Sequence, residues 1–221
     1  MIEHHVSDDL LLEYAAGALD EASSLLIATH LALCPPCRAV VRDAEAMGGA
    51  LLDGEPPEAM SERSPNNVLE RVARPPADPA VRANTHGGAD RWAGANLPQP
   101  LRGYVAETLS QRPWRRIAPG LRQLVLGTAS GPTTARLFHL APGKRIPVHS
   151  HRGLELTLVL QGTYRDECAT FARGDVAQLD DSVTHRPVVD PSEECLALAV
   201  TQAPLRFRST VMRLIQPLVG V

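Results

Sequence analysis

The run His30-Leu-Ala-Leu-Cys34-Pro-Pro-Cys37 brings one imidazole and two thiols within reach of a single ion. His30 and Cys34 are spaced i, i+4, so a helix presents both on one face. Pro35 and Pro36 stop that helix and can start the next, and the Cys-x-x-Cys turn lets both sulfurs converge. Thiolate and imidazole are the donors zinc prefers, and a closed structural site takes four of them. His4 or His5 can supply the fourth; His5 is preferred because it sits closest to the first helix start. A redox Cys-x-x-Cys is the competing reading. No βαβ pattern surrounds the motif, however, and the histidine stands at the helical offset, so the spacing predicts structural zinc.

A second constellation is Gly143-x5-His149-x-His151-x3-Glu155-x6-Gly162. On a strand, His149 and His151 point to the same side. Glu155 opens the next apolar strand after Arg152-Gly153 and can face the same interior. His185 is the only later histidine and the candidate ligand from a distant strand. Three imidazoles and one carboxylate accept Zn, Mn, Fe, Ni or Cu, so the donor set does not choose among them. His139 reads as a packed core histidine and His86 as exposed. Cys168 and Cys195 read as buried free thiols, and Lys144, Arg145 and Arg152 as rim charge.

The elements that must position these groups fall into two kinds. Ser7 can cap a helix through Leu10, Leu11 and Tyr14 that stops at Gly17. Asp20 or Glu21 opens a second helix through His30 and Leu33. A third begins around Pro36 and fades between Gly48 and Leu52. A fourth, over 65–72, carries Val68, Leu69 and Val72 as a stripe with little core of its own, which suits docking. Residues 73–100 hold five prolines and three glycines with no visible period, and read as a linker that includes Trp92. From residue 101 short alternating or β-branched runs recur at 121–126, 135–140, 154–160, 163–166, 175–179, 186–189 and 196–201. Many short strands between turn residues predict a sandwich or barrel. The expected architecture is α+β and multidomain: a small all-α zinc-binding unit over 1–72, a linker, and an all-β jelly-roll barrel over 101–221. A chain of 221 residues is long enough for each unit to bury its own core.

The net charge of −3 hides an asymmetry. Residues 1–72 carry 13 acids against 4 arginines, and the rest carries 12 acids against 18 bases. A unit with a net charge of −9 repels phosphate backbones and suits a basic protein surface instead. No direct contact with nucleic acid is expected. No apolar run approaches a membrane span, and the first residues lack the pattern of a signal peptide, so a cytoplasmic location is expected.

The barrel motif closely resembles the first sequence motif of the cupin superfamily. The second cupin motif is present in outline, with Gly174 and His185 in place but Asp181-Ser182-Val183 where a Pro-x-Gly turn is usual. The two constellations in this order resemble the ChrR-type zinc-binding anti-sigma factors. The resemblance rests on His4-His5-Val-Ser-Asp, Tyr14-Ala-Ala-Gly17, the His30/Cys34/Cys37 run, the stretch from His149 to Gly162, and Ala203-Pro-Leu-Arg-Phe207. It implies a cytoplasmic negative regulator whose helical domain holds an extracytoplasmic-function (group IV) sigma factor. The cupin would release that factor under singlet oxygen or organic peroxide. Carried over, the structural zinc ligands are His5, His30, Cys34 and Cys37, and those of the cupin metal, a second zinc or another ion, are His149, His151, Glu155 and His185. The alternative from another class is a metal-dependent cupin enzyme, a dioxygenase or isomerase with a zinc-hairpin accessory domain.

Overall fold

In a computed structural model of the chain, residues 1–59, 61, 64–74, 97–129, 133–202 and 206–207 are described. Residues 75–96 of the expected linker over 73–100, with His86 and Trp92, lie outside them, as do residues 203–205 of the resemblance.

The first helix, α1 (Asp8–Ala15), carries Asp8 and Asp9 in its first turn and buries Leu10 and Leu11. Gly17, at a φ of 66°, turns the chain out of it. Asp20 caps α2 (Glu21–Leu31) by accepting a 3.0 Å bond from the Ser23 amide. α2 is buried on nearly every side, Ser23, Thr29 and His30 included, as befits a helix enclosed by other elements. Pro35 occupies the first turn of α3 (Pro35–Asp53). Only Cys37 and Val41 of α3 are buried. Its far half leaves Met47, Leu51 and Leu52 exposed, and α4 (Ser64–Ala73) does the same with Val68, Leu69 and Val72.

The stretch expected to pass from linker directly into strands opens instead with a helix, α5 (Gln99–Gln111). Leu101, Val105 and Thr108 are buried at i, i+4 and i+7, and this stripe packs α5 against α2.

The strands are β1 (Arg115–Ala118), β2 (Leu121–Val125), β3 (Thr134–Leu140), β4 (His149–Ser150), β5 (Glu155–Gln161), β6 (Tyr164–Arg165), β7 (Thr170–Phe171), β8 (Val176–Leu179), β9 (Thr184–His185), β10 (Val188–Val189), β11 (Cys195–Thr201) and β12 (Arg206–Phe207). Among the described residues they form an antiparallel six-stranded sheet in the order β1-β2-β3-β11-β5-β8 and two three-stranded sheets, β10-β6-β7 and β12-β4-β9. This is the cupin-like arrangement.

Both faces of the large sheet are covered, which is why β11 reads Cys-Leu-Ala-Leu-Ala-Val without a polar break. Leu196, Leu198 and Val200 face outward with Leu137, Leu156 and Leu158. Cys195 and Ala197 face inward, toward Tyr164, Phe171 and Val189 of the small sheet. The outward face does not meet water. It joins Leu25, Leu26 and Ile27 of α2 and Leu101 and Val105 of α5 in one apolar cluster. Separate cores for the two units, as expected from length, are therefore corrected to a shared one: α2 is buried on nearly every side and needs the sheet to cover its second one.

Polar contacts reinforce this joint. The Glu3 and His4 amides donate to Asp175 Oδ1 at 2.7 and 3.0 Å, and the Val176 amide donates to the His4 carbonyl at 3.0 Å. Tyr104 of α5 donates to Glu21 at 2.6 Å, and Thr133 donates to the capping Asp20.

Candidate metal centres

The N-terminal cluster is built from the start of the chain, the end of α2 and the start of α3. His5 Nδ1 lies 3.2 Å from Cys34 Sγ and 3.4 Å from Cys37 Sγ, and His30 Nε2 lies 3.3 Å from Cys37 Sγ. One donor atom from each of the four residues falls within 4.8 Å of every other. Bonds of about 2.0 Å to nitrogen and 2.3 Å to sulfur set tetrahedral ligands roughly 3.5 Å apart, so the donor set and spacing fit zinc. His4 turns away, its ring 4.6 Å from that of Phe171. Burial and the adjacent Cys34 push the Cys37 thiol up to about 12, a penalty on the thiolate that a cation among the sulfurs reverses.

The orientation of His30 comes from far along the chain. Its Nδ1 donates to the Gly174 carbonyl at 2.9 Å, which fixes the tautomer and leaves the Nε2 lone pair for a metal. Gly174 has a φ of +96°, and a Cβ there would come within 2.6 Å of Ile2. Only glycine takes that φ without strain and presents the carbonyl while the N-terminal segment passes so close. The neighbouring Asp175 is buried; besides the Glu3 and His4 amides it accepts the Ala172 amide at 2.8 Å. Neither Gly174 nor Asp175 was legible as part of this site, because nothing local ties residue 174 to residue 30.

The barrel cluster gathers His149 from β4, His185 from β9 and His151 from the turn after β4. The strand register sets His149 directly opposite His185. His185 Nε2 lies 3.1 Å from His149 Nε2 and 3.0 Å from His151 Nε2. The outer nitrogens identify the tautomers: His149 Nδ1 donates to the Pro147 carbonyl at 2.9 Å and His185 Nδ1 to Asp166 at 2.7 Å. Both Nε2 lone pairs therefore point inward at each other, an arrangement that repels unless a cation stands between them. Burial pulls His149 down to about 4, keeping it a neutral ligand at neutral pH.

Glu155 stands beside this cluster rather than in it. Its Oε2 is 3.0 Å from His151 Nδ1, close but off the hydrogen-bonding direction. Burial raises the Glu155 carboxyl, yet His151 and the other imidazoles outweigh that and hold it below the usual range. Asp166, whose side chain is fully shielded, was missed by sequence reading; an acid just past a short strand carries no local mark of its partner. The remaining candidates divide. Cys195 is buried as expected, but Cys168 is exposed because it sits in the turn after β6. His139 is half-buried and paired with Glu194 at 2.8 Å instead of packed in the core. Lys144 reaches the Pro119 carbonyl at the barrel rim.

Comparison with known families matches residues 5–38 to a zinc-finger family and residues 103–205 to the ChrR cupin-like domain. The anti-sigma-E factor ChrR of Cereibacter sphaeroides is 44% identical over 216 residues, covering 98% of this chain and 97% of that protein. The chain belongs to the ChrR family of anti-sigma factors. A crystal structure of Rhodobacter sphaeroides SigE in complex with the anti-sigma ChrR agrees at a TM-score of 0.74 and 42% identity, over 91% of this chain and 99% of that one. Membership places this ChrR-family chain among regulatory proteins. No helix among the described residues is long and apolar enough to cross a membrane.

Proposed function

We propose that this chain sequesters an extracytoplasmic-function (group IV) sigma factor through residues 1–72 and releases it under singlet oxygen or organic peroxide, with the barrel over 101–221 as sensor and 73–100 joining the two. The observation that carries this reading is the end-to-end likeness to a ChrR structurally matched in complex with SigE. A second feature supports it. Six of the large apolar side chains that stand exposed, Met47, Leu51, Leu52, Val68, Leu69 and Val72, lie on α3 and α4. They sit on the acidic unit, where apolar anchors ringed by negative charge suit a basic partner.

In this reading zinc is held by His5, His30, Cys34 and Cys37 and supplies folding free energy to a helical unit with little core of its own. His149, His151 and His185 hold the cupin metal, a second zinc or a Mn, Fe, Ni or Cu ion, and Glu155, expected as a fourth ligand, stands beside them against His151. The protein acts in the cytoplasm, without contacting nucleic acid. Co-purification of the full chain with its cognate sigma factor, with metal analysis of the complex, tests the proposal. Leu51→Asp and Leu69→Asp are expected to weaken the complex at least tenfold, each losing an apolar anchor and adding like charge to an acidic face. A complex indifferent to both substitutions would remove α3 and α4 from the interface.

A further inference from the structure

The inward face of the large sheet encloses a cavity of 360 Å³, within the range that holds small organic ligands. Its existence is written into strand alternation. On β11 the outward residues Leu196, Leu198 and Val200 are large, and the inward ones, Ala197, Ala199 and Thr201, are small. On β5 the inward Thr157 is likewise smaller than the outward Leu156 and Leu158. A barrel needing only a core would carry leucine on both faces; this one leaves the space on one side.

The cavity has two chemically distinct ends. Phe138, Leu140 and Ile146 make much of it apolar. At the other end stand His149, His185, Glu155 and Arg136. Arg136 donates from Nη1 to Thr201 at 2.9 Å, while its buried Nε has no acceptor among the described residues. With a divalent ion on the three imidazoles, that ion and Arg136 exceed the charge of Glu155 and Asp166 together, leaving this end cationic.

We propose that the cavity binds an amphiphilic monocarboxylate of medium chain length, its head at Arg136 and its tail along Phe138 and Ile146. The ligand neutralises the surplus charge, satisfies Arg136 Nε and fills the space above Ala197 and Ala199. The inference rests on the reading of His149, His151 and His185 as metal ligands, and its test separates the two. The full chain, its metal content measured on the same sample, is titrated calorimetrically with decanoate and with decanol. Decanoate is expected to bind about tenfold tighter, the worth of a charge-assisted hydrogen bond. Arg136→Gln should abolish that preference and Arg136→Lys retain much of it, while Ala199→Leu should exclude both probes with metal content unchanged. Should Ala199→Leu fail to fold, the two Arg136 variants still decide. Equal binding of decanol, or binding indifferent to Arg136, overturns the proposal. A metal-loaded chain that binds neither probe does so too, and leaves the metal reading standing. Arg136-dependent binding by a chain without metal would keep the cavity site and overturn the metal reading.

Discussion

The two clusters of ligating side chains differ in where their supporting partners come from. The barrel cluster is self-contained: Pro147 and Asp166, which orient His149 and His185, belong to the same barrel as the histidines they hold. The His/Cys cluster is not. Its four residues lie between positions 5 and 37, but the carbonyl that orients His30 belongs to Gly174, and the acid that anchors the segment carrying His5 is Asp175. The His/Cys cluster thus depends on the barrel for its geometry, while the barrel relies on α2 and α5 only to cover its outward leucines. The donor chemistry is divided the same way. Two sulfurs and two imidazoles complete a tetrahedral set and suit permanent occupancy, whereas a set of three imidazoles, two of which line a cavity, suits exchange with something that enters.

The largest effect is expected from Cys34→Ser or Cys37→Ser. Structural zinc is worth on the order of 10 kcal/mol, as much as a whole domain's stability, so the helical unit should lose both its metal and sigma binding. Metal analysis and gel filtration with the sigma factor check this, and a metal-free variant that still binds would show the cluster to be dispensable.

His149→Ala and His185→Ala should instead remove the barrel metal and leave sigma held in unstressed cells, with induction by singlet oxygen lost. A signal shifts the bound and free states only through differential interaction with them, and the barrel is where that difference is proposed. A reporter strain carrying each variant decides. Full induction would exclude the barrel metal as sensor, and constitutive activity would place the barrel within the grip itself.

Outer-partner variants sharpen the contrast. Asp175→Ala should lower zinc retention at the His/Cys cluster by roughly 10- to 100-fold and Asp166→Asn should do so only at the barrel cluster, since outer-sphere losses are of that order. Competition with a chelator, read separately for the two sites, measures both. Crossed effects would mean that the two sites are coupled through the core that the helices and the sheet share.

The smallest effect is at Asp20. Burial raises its carboxyl, but bonds from Thr133 and Ser23 outweigh that and hold it below its ordinary 3.8. A depressed acid stabilises the fold above its unfolded value and loses that contribution as pH falls through the folded one. Asp20→Ala should therefore cost about 1 kcal/mol at neutral pH, the worth of a helix cap, with the gap from wild type closing below the ordinary value. Denaturant titrations at pH 7 and pH 3 test it; a pH-independent gap would count against the cap.

What the sequence made legible was set by locality. His30, Cys34 and Cys37 could be grouped because helix periodicity and a two-residue turn connect them, and His149 with His151 because strands alternate. His5 could be preferred over His4 only by nearness to a helix start; the contact of His4 with Phe171 was out of reach. The stripe Leu101, Val105, Thr108 did signal α5, but it was absorbed into the start of a β region. The shared core was hidden by a different route. The all-round burial of α2 shows in the run Leu25-Leu26-Ile27, yet a sequence does not say which distant surface covers it. Asp166, Gly174 and Asp175 act through pairings more than a dozen residues away, and no spacing rule reaches them.

The bond from His30 to Gly174 also fixes an order in time. Residue 30 leaves the ribosome 144 residues ahead of the carbonyl it will use. At bacterial synthesis rates that interval is roughly 7 to 30 seconds. During it the cysteines and histidines exist as a nascent hairpin whose second histidine is free to rotate and whose central helix has no sheet to cover it. A chain stalled anywhere between residues 37 and 174 would carry all four ligands without the carbonyl that aims His30.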